Sequence, residues 1–140
     1  MGKSTLLNAL VGEKMSIISS KPQTTRHRII GIVSSDEFQI VFSDTPGFID
    51  EPAYRMHQMM NAFISLSFDD ADIILFVTDP YEPLSEQHNL LQRIASHTSP
   101  VLAIINKQDM VSADELAARV AELAVLLPTT KIHTVSALKG

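Results

Sequence analysis

Two short, unbroken apolar runs, Ile73–Val77 and Val101–Ile105, constrain the fold of this chain more than anything else in it. Neither alternates polar with apolar, so each reads as a strand buried on both faces, the pattern of a parallel sheet. Parallel neighbours need a crossover, and helical spacing appears where one is required. Leu90, Leu91, Ile94 and Ala95 fall between the runs; Leu116, Val120, Leu123 and Leu127 follow the second. Ser112, with Glu115 three residues on, supplies a capping box for that later helix. A last strand is expected at about Lys131–Val135. Nearer the start, Leu6, Leu7, Leu10 and Val11 keep helical spacing up to Gly12, and 13–28 reads as a long polar loop. Ile30 and Ile32, then Phe38, Ile40 and Phe42, alternate about Ser35-Asp36-Glu37 as a hairpin. Met56, Met59, Met60, Phe63 and Ile64 return to helical spacing, and that stripe reads as core. The alternation makes the chain α/β, and no linker or repeat divides its 140 residues.

Composition closes off several classes. There are 11 Lys+Arg against 16 Asp+Glu, a net charge of −5, which argues weakly against a nucleic-acid surface within this stretch. The absence of cysteine excludes disulfides, thiol catalysis and thiolate-bound zinc together. No apolar stretch approaches the roughly 18 residues of a membrane-spanning helix. No basic segment followed by an apolar one opens the chain, so a cytoplasmic protein is expected.

Four short motifs sit at strand ends or helix starts. Gly2-Lys3-Ser4-Thr5 matches the second half of the phosphate-binding pattern G-x-x-x-x-G-K-[ST]. In that pattern Gly admits the phosphates to the backbone, Lys neutralises the β and γ oxygens, and Ser binds Mg²⁺. Asp44-Thr45-Pro46-Gly47 follows the second hairpin strand: Asp44 suits Mg²⁺ held through a water, and the Gly47 N–H suits a γ-phosphate. The same four residues are also good turn chemistry. Asn106-Lys107-Gln108-Asp109 follows a buried strand, and the carboxylate is what selects the base. Asp109 can accept from both N1–H and N2–H₂ of guanine, whereas adenine would leave it facing a bare acceptor. The Lys107 stem can lie over the purine, and Asn106 can tie the loops together. Ser136-Ala137 can offer a backbone N–H to the guanine O6. Each motif is weak alone. Their order, at the carboxyl edge of parallel strands, makes a guanine-nucleotide site the expectation.

The segment 16–32, with Lys21-Pro22-Gln23-Thr24-Thr25-Arg26-His27-Arg28 at its centre, then resembles the first switch of the translation-factor-related P-loop GTPases, and among them the Era-type family. The resemblance covers all 140 residues and implies a Ras-like, three-layer α/β sandwich with a mostly parallel sheet and helices on both faces. It implies GTP or GDP and Mg²⁺ as cofactors, with Thr25, or Thr24 as the second choice, joining Ser4 and Asp44 at the metal. Lys3, Thr25 and Gly47 are then the residues at the reacting phosphate. The resemblance also implies action on 16S rRNA and the small ribosomal subunit through a C-terminal KH domain, by a monomer with an option of peripheral membrane attachment. Phe48 stands where many GTPases carry a water-orienting Gln, so slow intrinsic hydrolysis is expected.

Both ends read as cut. Only Met1 precedes Gly2, so the first P-loop Gly and the central first strand of such a domain are absent, as are its last helix and the KH domain. This stretch alone, residues 1–140 of a partial GTPase domain, is therefore expected to bind GTP poorly and to fold with difficulty. Three other readings remain open: a relative acting in tRNA modification or large-subunit assembly, a non-hydrolysing interaction fragment, and an ATP-using P-loop protein, which Asp109 opposes.

Overall fold

The computed structural model describes residues 3–11, 15–16, 28–44 and 68–139. The chain forms two compact units, one of Met1–Ala9 with Ala71–Gly140 and one of Leu10–Asp70. Among the described residues the strands make two three-stranded sheets, where the sequence suggests one mostly parallel sheet.

The first unit carries the parallel sheet, in the order β4 (Ile74–Thr78), β5 (Val101–Ile105), β6 (Lys131–Thr134). Both apolar runs are strands, the first displaced by one residue because Ile73 is exposed and Thr78 fully buried. The last strand stops at Thr134, one residue short of expectation. A 3₁₀ turn at Leu84–Gln87 and helix α2 (His88–Ser96) connect β4 to β5. A 3₁₀ turn at Gln108–Met110 and helix α3 (Ala113–Leu126) connect β5 to β6. Helix α3 starts where its capping box requires: Ser112 Oγ accepts the Glu115 N–H at 3.2 Å, and Glu115 Oε2 accepts the Ser112 N–H at 2.9 Å.

Helix α1 (Lys3–Val11) docks on one face of this sheet through Leu6, which is buried with Val77 and Ile104, with Leu75, Val135 and Ala137 packed against them. Nine residues of helix do not persist alone in water, so tertiary burial of this kind is what holds them. One buried Leu contributes about 2 kcal/mol. Side chains alternate along a strand, so Ile74, Phe76, Ala103 and Ile105 belong to the opposite face. All four are buried, as are Leu91 and Ile94 of α2 and Leu123 of α3.

The second unit carries an antiparallel sheet, β1 (Met15–Ser16), β2 (Arg28–Ser34), β3 (Gln39–Asp44). The expected hairpin is present, and Ser35 closes it. Its N–H reaches Phe38 O at 2.8 Å, while its Oγ accepts the N–H groups of Glu37 and Phe38 at 3.2 and 3.1 Å. The reading of 13–28 as loop needs correction at both ends. Met15 and Ser16 pair with Val33 and Ile32, and Arg28 already belongs to β2. The helix expected about Met56–Ile64 lies outside the described residues. No helix among the described residues is long and apolar enough to cross a membrane.

Candidate nucleotide-binding site

The parallel register sets Thr78 beside Ile105 and Ile105 beside Thr134, so the residues after β4, β5 and β6 emerge at a single sheet edge. Backbone bonds continue the ladder past the strands: Asn106 N–H to Thr78 O and Val135 N–H to Ile105 O, both 2.9 Å, and Gln108 N–H to Val135 O at 3.1 Å. This carboxyl edge is where open α/β sheets bind ligands.

Asn106 is buried, and its Oδ1 accepts the Ala137 N–H at 2.9 Å, joining the loop after β5 to the loop after β6. A second tie runs from Ser136 Oγ, which donates to Asp109 Oδ1 at 2.7 Å. The Ser136 hydrogen bond holds the Asp109 carboxyl below its ordinary value against a smaller opposing effect of burial. Lys139 Nζ adds a weaker attraction, 3.8 Å from Oδ2. Asp109 is therefore ionised at neutral pH and fixed in orientation, with acceptor capacity left on each oxygen.

Between these two side chains, Lys107 adopts the left-handed conformation, φ 61° and ψ 32°. It is the one non-glycine residue with positive φ among the described residues. That conformation costs about 1–2 kcal/mol for a residue with a Cβ, and such strain collects at ligand sites. Its Nζ donates to Asp79 Oδ2 at 2.7 Å. Asp79 begins the loop after β4, and its other oxygen accepts the N–H groups of Tyr81 and Glu82, each at 2.9 Å. Burial pushes the Asp79 carboxyl up, but the Lys107 hydrogen bond and the two backbone donors outweigh it and hold the group below its ordinary value. The same hydrogen bond raises the Lys107 ammonium above its ordinary value.

Lys3, Ser4 and Thr5 form the first turn of α1. Leu6, directly after them, shares its apolar cluster with Ile104, two residues before Asn106, and with Ala137. The start of α1 and the loops at 106–109 and 136–137 are thus anchored to one patch of core. The first N–H groups of a helix have no partners within it and favour an anion. Asp44 is the last residue of β3, in the other unit, where it pairs in register with Arg28. Gly2, Thr25, Gly47 and Phe48 lie outside the described residues.

Two residues of this edge escape a reading of motifs. Asp79 follows a strand and precedes a proline, which reads as punctuation; its turn-forming carboxylate is the available signal. Arg119 is buried on α3, where Nη2 donates to Asp79 O at 3.1 Å and also to Glu82 O, and Nη1 pairs with Glu122 at 3.1 Å. Its position three residues after Leu116 and four before Leu123 puts it on the apolar face, and that spacing is the signal for it.

Comparison with known proteins agrees with this geometry. Residues 1–107 match the family model described as 50S ribosome-binding GTPase. GTPase Era of Actinobacillus pleuropneumoniae serotype 5b is 38% identical over all of this chain and 46% of its own length, so the chain spans about half of that relative. A crystal structure of a single-residue variant of Aquifex aeolicus Era, bound to GDP and aluminium fluoride, superposes with a TM-score of 0.73 at 36% identity, over 99% of this chain and 48% of that one. Era in complex with Mg-GDPNP and a segment of 16S ribosomal RNA superposes with a TM-score of 0.74 at 36% identity, with the same coverage. The fold is that of the P-loop GTPases, and the chain belongs to the 50S ribosome-binding GTPase family, within which it is similar to Era.

Proposed function

We propose that the intact protein binds GTP and GDP, hydrolyses GTP, and uses the cycle as a switch in assembly of the small ribosomal subunit on 16S rRNA. The observation that carries the nucleotide is the edge described above, where Asp109 is held by Ser136 and Asn106 by Ala137. The rRNA target rests on similarity to Era, of which one solved complex holds 16S ribosomal RNA.

In this reading Asp109 accepts N1–H and N2–H of guanine, and Ser136 keeps its carboxylate turned for the purpose. The Ala137 N–H, bonded to Asn106 Oδ1, is the donor we assign to the guanine O6, shared as the base enters. The Lys107 stem covers one purine face. Gly2, Lys3 and Thr5 face the phosphates with the N–H groups of the first turn of α1, and Lys3 neutralises charge on the transferred phosphoryl group. The residues that would hold Mg²⁺ are Ser4 and Thr25, through their hydroxyls, and Asp44, through a water; oxygen donors of this kind are what that ion takes. Mg²⁺, when bound, neutralises charge on the β and γ phosphates. The Gly47 N–H senses the γ-phosphate. Phe48 offers water no hydrogen bond, so unassisted turnover is slow. We place the protein in the cytoplasm, as a monomer, with its rRNA contact made by a KH domain and with peripheral membrane attachment as an accessory contact.

The discriminating experiment is Asp109→Asn in the intact protein, titrated with fluorescent GDP and XDP. Exchanging a double acceptor for an amide removes two charge-assisted hydrogen bonds, so GDP affinity should fall by about 10²–10⁴-fold. XDP, with an acceptor at C2, should then bind better than GDP. An Asp109→Asn protein that keeps the wild-type preference for GDP would overturn the assignment.

A further inference from the structure

The loop after β4 contributes no residue to the nucleotide in the reading above, yet it grips the residue that does. Asp79 is fixed from three sides. Its Oδ1 holds the N–H groups of Tyr81 and Glu82, its backbone carbonyl accepts from the buried Arg119, and its Oδ2 takes the Lys107 ammonium at 2.7 Å. Arg119 also donates to Glu82 O, so the turn 79–82 is tied to α3 at both of its ends. Lys107 is fixed at its other end by buried Asn106, by its left-handed backbone, and by its carbonyl, which accepts the Met110 N–H at 3.0 Å. The four-carbon stem is thus pinned at root and tip while its side chain stays one-third exposed. A free Lys stem has about 2 kcal/mol of rotamer entropy to lose when a ring settles on it.

We infer that Asp79 is a positioning residue for the purine: it holds the Lys107 stem in place before the base arrives, and Arg119 holds Asp79. The inference rests on the guanine-nucleotide reading of this edge and names a partner for it in a loop that carries no recognition motif. Asp79 does not touch the nucleotide; it lowers the cost of ordering the side chain that does.

Asp79→Asn separates this role from a structural one, because an Asn oxygen still accepts from Tyr81 and Glu82 while the charge facing Lys107 is lost. In the intact protein, Asp79→Asn should weaken fluorescent-GDP binding about tenfold, from the unpinned stem. The turnover number at saturating GTP should stay within about twofold and the GDP-over-XDP preference should be unchanged, because the groups at the phosphates and Asp109 are untouched. Lys107→Met should weaken binding to a similar degree, and the Asp79→Asn/Lys107→Met pair should be no weaker than Lys107→Met alone, since both remove one pin. Lys107→Arg, which keeps the pair with Asp79, should bind several-fold tighter than Lys107→Met; this comparison decides the matter should Asp79→Asn fail to fold. Wild-type GDP affinity in Asp79→Asn, additive losses in the double variant, or equal affinities of Lys107→Arg and Lys107→Met would each overturn the inference while leaving the nucleotide assignment standing. A wild-type protein that does not bind GDP would overturn the assignment and the inference together.

Discussion

Asn106 shows how one side chain carries both architecture and site. It is 3% exposed, its backbone extends the β4–β5 ladder, and its Oδ1 fixes the Ala137 N–H. Asn106→Ala would leave that N–H without its partner in a half-buried loop, which typically costs about 1–3 kcal/mol. Urea unfolding should record a loss of that size, and nucleotide affinity should fall with it as 136–137 loses its anchor. A variant with the wild-type unfolding midpoint would mean that water replaces the Asn106 oxygen without loss. Single residues were also where reading the sequence stopped short. Asp109 and Asn106 stand out because their spacing repeats a chemical requirement of the purine edge. Asp79 and Arg119 do not, because their partners are 28 and 40 residues away and four of the bonds that place them end on main-chain atoms. A carboxylate after a strand and a cation on an apolar stripe are each ordinary until the fold brings them together.

The elements were readable in proportion to how strongly burial constrains them. β4 and β5 match their apolar runs to within one residue, since a strand covered on both faces tolerates no polar interruption. The β2–β3 hairpin was equally plain, from alternation on both sides of a polar turn. β1 was not readable, because two residues show no period and their pairing is a matter of backbone geometry. Helix α3 illustrates what a local signal contributes to a distant site. Its reciprocal bonds between Ser112 and Glu115 set the first turn, and the helix carries Arg119 to the Asp79–Glu82 turn. Ser112→Ala should cost about 1 kcal/mol of stability by leaving the Glu115 N–H uncapped. The loss should appear in urea unfolding and leave GDP affinity within about twofold, because the cap lies seven residues from Arg119 and Arg119 has its own burial. A large loss of nucleotide affinity on Ser112→Ala would show that the start of α3, and not its buried face, positions the edge.

At the scale of the whole molecule, the Lys107 ion pair and the carboxylate hydrogen bonds of the described residues contribute a definite direction to how stability moves with pH. Asp79, Asp109 and Glu115 have their carboxyls held below ordinary values of 3.8, 3.8 and 4.5. Each causes the unfolded chain to bind more protons than the folded one as the solution is acidified. Their contribution is complete above the unfolded values and disappears as pH falls through the lower, folded ones. Lys107 works in the opposite sense: its ammonium is held above 10.5, so its contribution is complete below that value and is lost as pH rises through the folded one. A plateau of stability between about pH 5 and pH 10 is the expected result for these four groups, with an acid limb starting below about pH 4.5. Asp79 should account for a distinct share of the acid limb, because it is the most buried of the three carboxylates and the one paired with a cation at 2.7 Å. Urea midpoints of wild type and Asp79→Asn, followed from pH 8 to about pH 2.5, should differ most on the plateau and converge as the wild-type carboxyl protonates. Curves that stay parallel down to the lowest pH would mean that Asp79 keeps an ordinary proton affinity in the folded protein, and that the Lys107 pair adds nothing to the fold beyond its geometry.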